Sequence, residues 1–444
     1  MASDIKFVFI VTGKDASFTE MAGHRARELI RKAQSKSPGA FDAATLRFVH
    51  FNFRNDKVEF YEFDRAKEPD WAGKFPWRPL GAASLSGDPL YDPKTFVSAS
   101  LVPDTMSIVD VYRSIRGAPA SSVLELSIFS HAFAEGPVLV NTFDRVPPPF
   151  PDGSPQRTWT DPIDRDGRAR TDFFPNMGED PNVSSAGPVK RGGKNALNEF
   201  KAAFDSRGSF RVYGCNVQDV VVDPGDGTNM VRLASAVRQV LHQAYVLPVD
   251  AARSGGTGSD FGEQLRKGTR PAPDTPITLD MEREFRQEER RAKKYHDLGR
   301  PFAFDYVPLP KLRELHYGID DKFFKSETGM KLKRQWREVI QFVARRVMDT
   351  YVFKAADATG ITCYGAMPGT GGGVEDRTVP DRQMRVCREE GGGCSKDESY
   401  RHYLQFYVSF MDVSCTEPDA PIQRNYGILD AATVAKLKEH AANG

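Results

Sequence analysis

Residues Ile5 to Val11 form an almost unbroken apolar run, which suits a strand covered on both faces. From Ser17 the pattern changes to helical spacing, with Ala22, Ala26, Leu29, Ile30 and Ala33 on one stripe up to about Gln34. Thr45 to Phe53 alternates and predicts a second strand, with Val58 to Phe63 as its pairing partner. A stretch rich in Pro and Gly runs from Arg65 to Pro103. Thr105 to Arg116 then reads as a helix leading into the apolar strand Ser122 to Phe129. That strand is followed at once by Ser130 and His131.

Val146 to Gly193 breaks the alternation. Pro147 to Pro151, Asp161-Pro162 and Gly178 to Pro181 are loop chemistry with few apolar runs, and predict an insertion over the surface. Periodicity resumes with a helix over Lys194 to Ser206 and a short strand, Ser209 to Tyr213, ending in Gly214-Cys215-Asn216. A helix from about Thr228 to Gln243, a strand Ala244 to Pro248, and a glycine-rich loop after Asp250 come next. Asp280 to Asp297 is densely charged with both signs and reads as a solvated helix held by i,i+4 pairs. Lys331 to about Lys354 predicts one long amphipathic helix, with Arg337, Arg345 and Arg346 on a solvated face. Gly360 to Gly365 predicts a strand, Pro368 to Gly373 a flexible loop, and Tyr403 to Met411 a last apolar strand. Asp430 caps a terminal helix running through Lys438.

Strands alternating with helices predict an α/β fold: a mainly parallel six-stranded sheet sandwiched by helices, with a Pro-rich insertion over 146–193. The division expected is an α/β core over residues 1–265 and an accessory C-terminal α+β region over 266–444, which adds the last core strand near 361–365. Ligand and catalytic groups of such sheets gather at the carboxyl ends of the strands. His131 and Cys215 each stand just past one.

Composition narrows the function classes. The chain has 444 residues, of which 40 % are hydrophobic and 27 % charged, as in ordinary globular proteins. Its 61 basic residues nearly balance 60 acidic ones, without the basic excess of a nucleic-acid binder. No apolar stretch has the length of a membrane-crossing helix. Asp4 ahead of the first apolar run and the loop at Gly13 after it favour a buried strand over a signal peptide. Five sparse cysteines suggest a reducing compartment, hence a cytoplasmic protein. Cys363, Cys387, Cys394 and Cys415 lack zinc-ribbon spacing, and Gly369 to Gly373 lacks the Lys-Ser/Thr ending of a phosphate loop, so no metal or organic cofactor is expected.

On parallel, adjacent strands, His131 and Cys215 would emerge on one rim a strand spacing apart. An imidazole there can take the thiol proton and later protonate a leaving amine. The backbone N–H groups of Ala132 and Cys215 are candidates for stabilising the oxyanion. Gly214 allows close backbone approach at the strand end.

The two stretches Leu-Ser-Ile-Phe-Ser-His131-Ala and Phe-Arg-Val-Tyr-Gly-Cys215-Asn resemble the caspase-like cysteine peptidases, a group that includes caspases, gingipains, separases and bacterial CHAT-type peptidases. In that group a histidine ends one strand and a cysteine the next. The resemblance covers roughly Ile5 to Pro248, and on to Gly365 if the later strand is counted. It implies His131 as general acid/base, Cys215 as nucleophile, Ala132 and Cys215 as oxyanion donors, and a peptide or protein substrate. Members that cut after Arg or Lys place a carboxylate in the primary pocket, for which Asp219 and Asp250 are the candidates. The family usually has glycine after the histidine, where this chain has Ala132. Two alternatives stand beside the peptidase: a binding or assembly protein that keeps the core without turnover, and a thiol amidase acting on a small or cell-wall amide. A protein activator fits the peptidase reading; nucleic acid and membrane are not expected partners.

Overall fold

The structure is a computed structural model, which describes residues 5–13, 16–55, 57–67, 75–80, 108–133, 136–139, 196–214, 270–280, 331–368, 370–374, 384–388, 406–415 and 426–444. The insertion at 146–193, the helix expected over 228–243, the strand over 244–248 and most of the charged helix over 280–297 lie outside these residues.

The first apolar run is β1 (Ile5–Thr12), and the stripe that follows it is α1 (Ala16–Gln34). β2 (Thr45–Asn52) lies parallel to β1, with Ile5 opposite Thr45 and Thr12 opposite Asn52. β3 (Lys57–Asp64) folds back antiparallel on β2, and the two-residue β4 (Arg78–Pro79) closes that edge. After α2 (Ile108–Gly117), β5 (Val123–Phe129) runs parallel to β1 on its other side. A small antiparallel pair follows, β6 (His131–Phe133) with β7 (Gly136–Val138). α3 (Ala196–Ala203) leads into β8 (Phe204–Tyr213), which pairs parallel with β5.

The later chain completes the same sheet. β9 (Pro276–Asp280) and β10 (Lys331–Gln335) form a separate antiparallel pair. They are followed by α4 (Trp336–Asp349), α5 (Tyr351–Thr359) and β11 (Thr362–Gly365), which pairs parallel with β8. β12 (Thr370–Val374) and β13 (Met384–Arg388) make another hairpin. β14 (Ser414–Cys415) and β15 (Gly427–Leu429) extend the main sheet antiparallel beyond β11, and α6 (Ala431–Asn443) ends the chain.

The sheet is therefore nine-stranded and mixed, ordered β14-β15-β11-β8-β5-β1-β2-β3-β4. This corrects the expected six-stranded sheet. The parallel run β11-β8-β5-β1-β2 is the centre, and antiparallel strands cover both its edges, which would otherwise present unpaired backbone groups.

Alternation along the central strands explains why they read as continuous apolar runs. Phe7, Phe9 and Val11 face one layer, packed with α2 to α6. Val8 and Ile10 face the other, packed with Met21, Ala22, Ala26 and Leu29 of α1. Both faces are dry, so both parities are apolar. Elements of the N-terminal and C-terminal portions share the first layer. Tyr112 of α2 meets Phe200 of α3 edge-on at 5.7 Å, and its hydroxyl bonds that of Tyr351 in α5.

Four local expectations are corrected. Residues 406–410 are helical, not a strand: Phe406, Tyr407, Phe410 and Met411 are buried at helical spacing, and Trp336 packs edge-on against Phe406 and Phe410. A short apolar run fits a buried strand or a buried helix equally well, and only its neighbours decide. The single helix over 331–354 is a strand and two helices. Thr350, extended at φ −70° and ψ 146°, donates its hydroxyl to the Val347 carbonyl (2.6 Å) and accepts from the Phe353 N–H (3.2 Å), so it ends α4 and caps α5. The glycine-rich loop near 370 is a paired strand, with Gly371 opposite Cys387. Finally, the basic face of α4 is not solvated throughout: Arg346 is buried, and Arg345 donates to the Ala441 carbonyl of α6 at 3.3 Å.

Candidate active site

Parallel pairing puts the carboxyl ends of β2, β1, β5, β8 and β11 on one rim. The order of connection reverses there, since β1 is followed by β2 on one side and by β5 on the other. Such a switch point is where open α/β sheets leave a crevice for ligands.

β5 and β8 are neighbours, in register from Glu125 opposite Ser209 to Phe129 opposite Tyr213. Their association persists beyond the strands, because the Ser130 N–H donates to the Tyr213 carbonyl at 3.3 Å. Gly214 then packs against the chain around Ser130: a Cβ there would stand 2.6 Å from the Ala132 Cβ and 2.7 Å from the Ser130 oxygen. No side chain fits in that gap, so glycine at 214 is a packing requirement of two strand ends drawn together.

These are the strand ends that precede His131 and Cys215. His131 opens β6, opposite Val138, and its side chain lies outside the described residues. Cys215, Asp219 and Asp250 lie outside them too. Ala132 is described: its methyl is buried in the layer packed with α2 and α3, and its backbone nitrogen stands beside Gly214.

Below this rim lies a buried charged cluster that the sequence reading missed. Glu125, in the middle of β5, accepts two hydrogen bonds from Arg25 of α1, Nε at 2.7 Å and Nη2 at 2.6 Å. Arg211 of β8 places its Nε 3.1 Å from the same carboxylate, and the Ser127 hydroxyl donates to it. Arg25 also holds Glu28 at 2.6 Å, and the Arg211 guanidinium lies 3.8 Å from the centre of the Tyr364 ring. Burial alone would push the Glu125 carboxyl up, but Arg25, Arg211 and the hydrogen bonds from Arg25 and Ser127 outweigh it and hold it down at about 2. Arg25, though desolvated, is held charged by Glu125 and Glu28. The signals were a lone acid inside an apolar strand and an arginine on the apolar stripe of α1, between Ala22 and Leu29.

Directly above that cluster, Phe129 and Tyr213 stack at 4.4 Å with their planes 6° apart. Tyr426 meets Tyr213 edge-on at 5.3 Å. The Tyr213 hydroxyl is buried with no hydrogen-bond partner among the described residues, and burial pushes it up to about 12.

A second polar chain sits at the ends of β1 and β2. His50 places Nδ1 3.1 Å from Glu59 and Nε2 2.8 Å from the Thr12 hydroxyl. A carboxylate only accepts, so Nδ1 carries the proton and Nε2 accepts from Thr12. The order hydroxyl–imidazole–carboxylate is that of a hydrolytic triad. Thr12 and His50 are nevertheless sealed, at 0 % and 1 % exposure, so the hydroxyl has no surface to offer a substrate. Its role is to satisfy polar groups inside the sheet.

Cys363 is buried, and desolvation pushes its thiol up; Cys415 is pushed up to about 12 for the same reason. Neither is a nucleophile at neutral pH. Among the described residues no group of three or more His, Cys, Asp or Glu side chains is placed to hold a metal, and no helix is long and apolar enough to cross a membrane.

What the fold defines is an α/β protein with a largely parallel, mixed central sheet flanked by helices. Against known proteins, the chain matches no family model, no curated protein and no solved structure.

Proposed function

We propose that the chain is a caspase-like cysteine hydrolase that cleaves a peptide or protein substrate through a His131–Cys215 dyad. The observation that carries this reading is the pairing of β5 with β8: the strands preceding these two residues are parallel neighbours, joined at their carboxyl ends by the Ser130–Tyr213 hydrogen bond and by the contact of Gly214 with Ala132. The buried Cys363 thiol and the partly buried Cys415 thiol are both pushed up, so neither competes for the nucleophile's role in this reading.

In this reading His131 takes the Cys215 proton and the thiolate attacks the substrate carbonyl carbon. The oxyanion of the tetrahedral intermediate is held by the backbone N–H groups of Ala132 and Cys215. His131 returns the proton to the leaving amine, which departs as the C–N bond breaks and a thioester forms. Water, deprotonated by His131, then attacks the thioester and releases the acid and the free thiol. Asp219 or Asp250 would pair with a basic side chain before the scissile bond. The chemistry needs no metal or organic cofactor, and a reducing cytoplasm suits the free thiol.

Cleavage of a peptide library by the full chain, compared with Cys215→Ala and His131→Ala, tests the proposal. Each substitution should lower the rate by at least about a hundredfold. Turnover that survives Cys215→Ala would refute the mechanism. Absence of cleavage together with an ordinary Cys215 thiol would favour the assembly protein, and cleavage confined to small amides would favour the amidase.

A further inference from the structure

Two aromatic rings occupy equivalent places beneath the rim. Phe129 is the last residue of β5 and lies two residues before His131. Tyr213 is the last residue of β8 and lies two residues before Cys215. They are register partners, both fully buried, and their rings lie nearly parallel at 4.4 Å. Neighbouring strands are about 4.8 Å apart, so a face-to-face pair at that spacing opposes both lateral separation and relative twist of the two strand ends.

The stack is clamped from two sides. Tyr426, the residue ahead of β15, packs its edge on Tyr213 at 79°, and the Arg25 guanidinium of α1 stands 6.0 Å from the Tyr213 ring centre. Arg25 is itself held by Glu125 of β5, so helix, strand and late chain converge on one ring. The Tyr213 hydroxyl makes no hydrogen bond among the described residues, so the clamp uses the ring and not the polar atom.

We infer that the Phe129–Tyr213 stack is the positioning element of the dyad, setting the spacing and twist at which β5 and β8 deliver His131 and Cys215, with Tyr426 as its clamp from the far end of the chain. This rests on the hydrolase reading above. In this role Phe129, Tyr213 and Tyr426 act through the strand ends. The stack thereby couples Tyr426 to the site, although it lies far from both dyad residues in sequence.

The test is the pH dependence of Cys215 alkylation by iodoacetamide in the full chain, read site by site by peptide mass mapping, alongside the urea midpoint. An imidazole partner brings the inflection below the ordinary thiol value of about 8.5, and His131→Ala should return it there. Tyr213→Phe keeps the ring and should leave the inflection in place. Phe129→Leu and Tyr213→Leu should raise it by about one unit, which cuts the rate at pH 7 by up to about tenfold. Tyr426→Leu keeps both stacked rings and should shift it by less, in the same direction; it decides the matter if the other leucine variants do not fold. If His131→Ala moves the inflection and the leucine variants that fold, Tyr426→Leu included, change only the urea midpoint, the rings are mere packing and the inference is overturned while the dyad stands. If His131→Ala leaves the inflection unmoved, the dyad fails and the positioning role falls with it.

Discussion

Replacing Glu125 with glutamine keeps the shape of the side chain and removes one charge from the middle of a fully buried strand. That carboxylate faces Arg25 through two hydrogen bonds, Arg211 at 3.1 Å and the Ser127 hydroxyl. It is held at about 2 in the fold, against an ordinary value of 4.5. At about 1.4 kcal/mol per unit, that difference corresponds to about 3 kcal/mol of stability at neutral pH. Breaking a buried ion pair by removing one partner gives the same range, about 3–5 kcal/mol, because the guanidinium left behind is desolvated and unmatched. The sign follows from the depressed value. Between 4.5 and about 2 the unfolded chain binds the proton and the folded chain does not, so the contribution is complete above 4.5 and fades as the pH falls toward 2. Urea unfolding followed by tryptophan fluorescence should show Glu125→Gln about 3 kcal/mol less stable at pH 7, with the gap to the unsubstituted protein shrinking steadily below pH 4.5. A gap under about 0.5 kcal/mol at pH 7, well short of what a broken buried pair costs, or a gap that does not change on acidification, would refute the account.

Three further outcomes are expected. Gly214→Ala forces a methyl against the Ala132 Cβ and the Ser130 carbonyl, and should cost about 1–3 kcal/mol in urea unfolding; on the proposed hydrolase function it should also lower peptide cleavage further than the stability loss explains. His50 is kept neutral by burial, with Glu59 offsetting only part of that, so it takes its proton less readily folded than unfolded; melting temperature should therefore fall as the pH drops below about 6.5, and His50→Gln should flatten that slope between pH 7 and 5. The Asp430 carboxylate accepts from the Thr433 N–H at 2.8 Å at the start of α6, and Asp430→Ala should cost about 1 kcal/mol, with faster amide exchange at Thr433.

The elements that recur at fixed spacing were legible along the chain. β1, β2, β5, β8, β11, α1 and α6 stand close to where apolar period and cap residues place them, because each pattern is local and each element buries the face it advertises. The two strand ends before His131 and Cys215 were legible for the same reason, though not that they are neighbours, as two apolar runs with a small residue and a His or Cys behind each. Where pattern and fold disagree, contacts that the apolar period does not show made the choice. Trp336 packs on Phe406 and Phe410, which form a helix where the run alone suits a strand, and Thr350 cuts one amphipathic stretch in two through hydrogen bonds to Val347 and Phe353.

The chain by itself thus determined the α/β class and the order of its central elements. The tertiary structure alone decided which strands are neighbours, that antiparallel strands extend the sheet at both edges, and that Arg25 meets Glu125 across a hundred residues. Burial of a charge, stacking of two rings and close approach of a glycine are energies of contact between segments distant in sequence. They depend on pairing and register, and no local period encodes either.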